Sequence, residues 1–225
     1  MRDSNRIMGC AALAGMLFAG AGSAYGEVNT FSMSIVCDND YAVFAGTNTS
    51  IVSLLYQNDV DWGAQIANIS SQTFSLPNGC TTIYLLAMDG GGEANIQGTI
   101  NDVDITSVPV LMSVDIGSHL TDFGFSASAI ADGSYSPDLA DVQTAMSSLS
   151  STDWTDTPYI GSGIVTGASG YDFGFLFNSD RAHLFAFEAT GMDIPVVSVP
   201  EPATTSLAIA FLGGAFVLIR RRKQK

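Results

Sequence analysis

The sequence predicts a mainly β protein, an antiparallel β-sandwich or jelly-roll ectodomain with one short helix, set between an N-terminal signal peptide and a C-terminal transmembrane helix. Three observations predict it. Apolar and polar residues alternate with period 2 in short runs, as at Phe31, Met33 and Ile35 with Ser32, Ser34 and Val36 between them. Turn formers separate those runs, as at Asp38-Asn39-Asp40, Asn58-Asp59, Pro77-Asn78-Gly79 and Asp89-Gly90-Gly91-Gly92. Each end of the chain carries an uncharged apolar stretch flanked by basic residues.

Residues 1–26 read as the signal peptide. Arg2 and Arg6 form a basic start, the stretch from Ile7 to Ala21 is apolar, and small residues from Ala21 to Gly26 suit a signal peptidase, with cleavage after Ala24 or Gly26. Too few apolar residues precede Cys10 for a lipoprotein signal, so that cysteine is expected to leave with the signal.

Residues 27–195 read as the ectodomain, long enough for a full core. Strand-like runs recur at Tyr41–Thr47, Ser50–Gln57, Ala64–Leu76, Thr81–Met88, Glu93–Asn101, Val108–Ile116, Asp122–Ser128, Gly170–Phe177 and Ala182–Thr190. One segment breaks the pattern. Leu139, Val142, Met146 and Leu149 are spaced by three and four, behind Ser136 as N-cap, Pro137 at the first helical position and Asp138 in the first turn. A helix of about twelve residues is expected there, covering part of the sheet. Trp154, just after it, reads as a core or corner residue. Asp122-Phe123-Gly124-Phe125 and Asp172-Phe173-Gly174-Phe175 look alike, but their flanks do not match and no repeat is inferred.

Charge is distributed unevenly. Between Glu27 and Val199 there is one basic residue, Arg181, against twenty acidic ones, so this interval stands near −19 within a chain of net charge −14. Such a surface repels phosphate backbones and excludes nucleic acid as a partner. Cys37 and Cys80 read first as a disulfide, the usual fate of an isolated pair in an exported chain. Two buried thiols are the competing reading.

Catalytic signatures are absent. Neither His119 nor His183 sits in a metal or nucleophile spacing, and the Gly-rich segments lack the context of a phosphate loop. Carboxylate pairs occur at Asp38 and Asp40, Asp59 and Asp61, and Asp102 and Asp104. Calcium is the one cofactor these residues suggest. Asp38, Asn39 and Asp40 place three side-chain oxygens in one turn, and Asp89, Asp59 or Asp61 would join them if the loops share an edge of the sandwich. Sugar binding would need Tyr41, Tyr56, Trp62, Tyr84 or Tyr135 exposed on one face.

Residues 196–202 read as an extended stalk ending in Val199-Pro200-Glu201-Pro202. Residues 203–219 carry no charge, and these seventeen residues give a helix of roughly 26 Å against a bilayer core of about 30 Å. Residues 220–225, with Arg220, Arg221, Arg222 and Lys223, form the basic cytoplasmic end.

A proline-rich tripeptide, an apolar helix and a basic end, in that order and without a gap, resemble the PEP-CTERM sorting signal of bacteria that make extracellular polysaccharide. The resemblance covers about the last 27 residues. It implies processing near Pro200-Glu201-Pro202 by an exosortase, a membrane-embedded protease, and a route from an inner-membrane-anchored precursor to the cell surface or extracellular matrix. The segments 38–44 and 82–89 are similar to parts of secreted proteins whose strands form jelly rolls like those of carbohydrate-binding modules. The expectation is a non-catalytic surface or matrix protein associated with exopolysaccharide or biofilm. A carbohydrate- or calcium-binding adhesin module and a secreted glycoside hydrolase are the alternatives.

Overall fold

The structure is a computed structural model, and it describes residues 29–194 apart from 59, 61, 68, 70, 93, 132–133, 163–172 and 178–180. The signal peptide, the stalk, the apolar tail and its basic end all lie outside the described residues. Twelve strands run in chain order as β1 (Thr30–Asp38), β2 (Asp40–Thr47), β3 (Ser50–Gln57), β4 (Gln72–Ser75), β5 (Thr82–Met88), β6 (Ala94–Ile100), β7 (Val103–Asp104), β8 (Val110–Ser113), β9 (Trp154–Thr155), β10 (Ile160–Ser162), β11 (Phe173–Phe177) and β12 (Ala182–Glu188). Four short helices join them: α1 (Trp62–Ala67), α2 (Gly117–Leu120), α3 (Ala127–Ala131) and α4 (Leu139–Ser147).

The strands form two antiparallel sheets, as a sandwich requires. The first has the order β10-β11-β6-β1-β4, with β7 also on β6, and the second the order β3-β2-β5-β12-β8-β9. Odd-numbered residues of β1, from Phe31 to Cys37, point inward with Ile96, Ile100 and Phe175, and they meet Val43, Ile83, Leu85, Phe185 and Phe187 of the second sheet. Here the period-2 reading of β1 is realised directly.

The outer face of the second sheet is also covered. Phe44, Leu86, Met88 and Leu184 pack against Leu120, Ile130 and Val142 from the helices, forming a separate core. Residues on both sides of β5 are therefore buried along its whole length. That explains why Thr82-Ile83-Tyr84-Leu85-Leu86-Ala87-Met88 shows no polar alternation: a strand covered on both faces reads as one apolar run. The architecture is a sandwich with a third, helical layer, where one helix was expected.

Two expected strands prove otherwise. The run 64–76 splits into the end of α1 and the short β4, and the run 122–128 is a tight turn leading into α3. Gly124 supplies the turn with a φ of 96° that residues with a Cβ avoid. Helix α4 starts later than expected and is nine residues long. Asp138 is its N-cap, with its carboxylate accepting from the Asp141 N–H at 3.0 Å. Ser136, expected as the cap, instead donates to Gln57 Oε1 at 2.8 Å.

The expected disulfide is absent: Cys37 and Cys80 are both free and buried. Their placement explains it. Cys37 lies at the Met88 end of β5, where Asn39 N–H donates to the Met88 carbonyl at 2.8 Å. Cys80 immediately precedes the Thr82 end, beside the Thr81 N–H that donates to the Gly46 carbonyl at 2.8 Å. Seven residues of strand separate the two ends, roughly 20 Å at about 3.4 Å per residue, whereas a disulfide needs Cα atoms within about 7 Å.

Candidate functional site

The helical layer does not reach the far end of the second sheet. Register places Phe44, Tyr84, Ala186 and Leu111 side by side across β2, β5, β12 and β8, with Gly46, Thr82 and Glu188 in the next row out. Helix α4 covers the sheet only as far as Met146, so the outer rows floor an open cleft of about 720 Å³. Ala186 helps to create this space, because it presents only a methyl group between the larger Tyr84 and Leu111.

Aromatic and polar groups surround that floor. The Trp154 ring stands 6.5 Å from the Tyr84 ring at an interplanar angle of 57°. Tyr84 is fixed by its hydroxyl, which donates to the Thr47 carbonyl, and burial, followed by the nearby Glu188 charge, pushes its phenol up. Trp154 is delivered by a capped turn. Asp153 Oδ2 accepts from both the Ser150 N–H and the Ser150 hydroxyl at 2.7 Å, which holds the Asp153 carboxyl below its usual value. Trp154 then pairs with Ser113 at the edge of the sheet. Asn48, Thr49, Ser150, Ser151, Asp156 and Glu188 form the rim, all solvent-exposed. Trp154 is half-buried, so it is at once the corner residue that the sequence suggests and a wall of the cleft.

The aromatics singled out from the sequence do not share an exposed face. Tyr41, Tyr84 and Tyr135 are buried. Tyr56 packs between Tyr41 and Phe74, at 5.9 and 5.8 Å. The side chain of Trp62 lies outside those described. The cleft was missed because its members are distant in sequence and are joined only by strand order.

Asp38, Asn39, Asp40 and Asp89, expected around calcium, do meet at the opposite end of β5. Asn39 Oδ1 accepts from Gly90 N–H at 2.6 Å and Asp89 Oδ2 from Gly91 N–H at 3.0 Å. Asp40, Asp38 and Asp89 all act on Cys37, whose thiol is pushed well up mainly by burial and further by these charges. Among the described residues no group of three or more His, Cys, Asp or Glu side chains is arranged to hold a metal ion. Asp59 and Asp61 are outside the described residues. Of the remaining carboxylate pairs, Asp104 caps a turn by accepting from Thr106 N–H at 2.8 Å. His183 is buried with Nδ1 at 2.9 Å from the Ser113 carbonyl, and His119 is exposed at the end of α2.

Val199, Pro200, Glu201 and Pro202, with Arg220, Arg221, Arg222 and Lys223, fall outside the described residues, and comparison with known families places them. Residues 198–223 match the family model of the PEP-CTERM protein-sorting motif. The chain carries a PEP-CTERM sorting motif. This motif implies an exported protein processed by an exosortase, a membrane protease. No curated protein and no solved structure matches the chain. Among the described residues no helix is long and apolar enough to cross a membrane. The PEP-CTERM segment, with its apolar residues 203–219, lies beyond them.

Proposed function

We propose that this protein is a non-catalytic component of the cell surface or extracellular matrix, anchored briefly in the inner membrane and then freed by cleavage near Pro200-Glu201-Pro202 to associate with exopolysaccharide. The PEP-CTERM match at residues 198–223 carries this reading. Two prolines hold the tripeptide extended, the form in which a protease cleft takes its substrate. The acidic, nearly cation-free sandwich supports the rest, since its charge keeps it soluble while neutral polymers remain accessible to it.

Mass spectrometry of the protein recovered from its own host tests the proposal. The expected mature chain lacks residues 1–26 and ends near Pro202, and replacing Pro200, Glu201 and Pro202 together by alanine should leave an unprocessed, membrane-bound precursor. An intact chain dissolved in the cytosol would overturn it.

A further inference from the structure

The geometry points to the cleft over Tyr84, Ala186 and Trp154 as a binding site for a neutral saccharide unit of an extracellular polymer, held without cleavage. This rests on the preceding reading only for the place where the polymer is met. Four observations carry it. The first is size, since about 720 Å³ falls within the range of small-ligand sites, roughly 300 to 1,000 Å³. The second is the surface presented to a ligand. The half-buried Trp154 ring, in ring contact with the buried Tyr84, and the 47% exposed Leu111 offer apolar area to the C–H face of a pyranose.

The third is the rim. Hydroxyls, an amide and the carboxylates of Asp156 and Glu188 accept and donate the hydrogen bonds that sugar hydroxyls require. The fourth is charge. Among the described residues no Lys, Arg or His lines the cleft, and Arg181 is paired with Asp115 at 3.4 Å. A uronate, sulfate or phosphate polymer would meet two carboxylates and no counter-charge. A lipid chain would leave the polar rim unused. Asp156 and Glu188 both stand on the exposed rim, where the assignment uses them as hydrogen-bonding groups and not as an acid and nucleophile pair.

Fluorescence titration of the secreted mature protein tests the assignment. Trp62→Phe leaves Trp154 as the sole indole, since the chain has two tryptophans. Cellohexaose, xylohexaose and mannohexaose are titrated to millimolar concentration, with polygalacturonate as the anionic counterpart. At least one neutral hexaose should change Trp154 emission saturably and be recovered uncut. Ala186→Leu, which fills the floor while removing no contact, and Asp156→Asn should each weaken binding by about tenfold or more at unchanged melting temperature. The assignment is overturned if no neutral hexaose binds, if polygalacturonate binds as well, if the hexaose is cut, or if Ala186→Leu leaves the affinity intact. Matrix retention of the sorted protein is scored in parallel. Retention without hexaose binding removes only the cleft assignment, while hexaose binding without retention removes only the matrix role.

Discussion

His183 shows how one buried side chain can link stability to pH. It lies on the inner side of β12, with its ring 5.5 Å from that of Phe177 and Nδ1 against the Ser113 carbonyl. Burial pushes its imidazole below the ordinary value of 6.5; the Ser113 carbonyl and the Asp115 charge oppose that shift, and Arg181 adds to it. Well above pH 6.5 the ring is neutral in both the folded and the unfolded chain, and no proton linkage arises. Below that, the unfolded chain takes up a proton that the folded core resists. Stability is then lost progressively as the pH falls towards the lowered folded value. Relief of the overall negative charge acts in the opposite direction, so the measurement is a difference. Chemical denaturation of the wild type and His183→Gln from neutral pH down to about 5, above the range in which carboxylates titrate, should give a gap that shifts against the wild type as the pH drops below 6.5. A gap constant with pH would refute this role.

At the level of elements, α4 separates what local sequence decides from what packing decides. The helix itself was legible, because residues spaced by three and four identify an apolar face, and Val142, Ala145 and Met146 are indeed its buried side. Its start was not, because Ser136 and Asp138 are both good caps and only the contact with Gln57 on β3 assigns Ser136 elsewhere. Asp138→Ala should therefore cost about 1 kcal/mol in a denaturation experiment, and Ser136→Ala less. Equal costs would return the cap to Ser136. Phe-Gly-Phe makes the same point more sharply. At 123–125 it is a turn, with Phe125 edge-on to Tyr135 at 5.5 Å in the helical core. At 173–175 it is strand β11, with Phe175 stacked on Phe185 at 5.4 Å in the inter-sheet core. There a Cβ on Gly174 would lie 2.9 Å from the Ile96 carbonyl oxygen, so glycine allows close strand approach, where Gly124 allows a left-handed turn. The long β1, β2, β3, β5, β6 and β12 were legible from their own patterns, and the two- and three-residue edge strands β7, β9 and β10 were too short to carry one.

For the whole molecule, the sorting tail was legible because it is linear, with all its chemistry in consecutive residues, whereas the cleft exists only through the strand order β5-β12-β8-β9. The third layer was hidden for a related reason: apolar runs such as β5 announce burial on both faces but not what covers the second one. That layer also bears on how the fold is held together. Two contiguous cores, one between the sheets and one beneath the helices, bury the apolar faces without a covalent link. Cys37 belongs to the first of these as a packing residue, and Cys80 lies in the same core at its other end. Burial pushes both thiols up, which keeps them protonated and slow to oxidise even in an oxidising exterior. Reductant should leave the melting temperature unchanged. Unfolding in guanidinium without reductant should release two titratable thiols per mature chain lacking residues 1–26, mapped to Cys37 and Cys80, that react slowly in the native protein. A disulfide closing the 44 residues from Cys37 to Cys80 would instead release none, and its reduction would cost about 4 kcal/mol of stability. The length of β5 rules out that second result unless the two sheets come apart, because no rotamer change spans the distance between its ends.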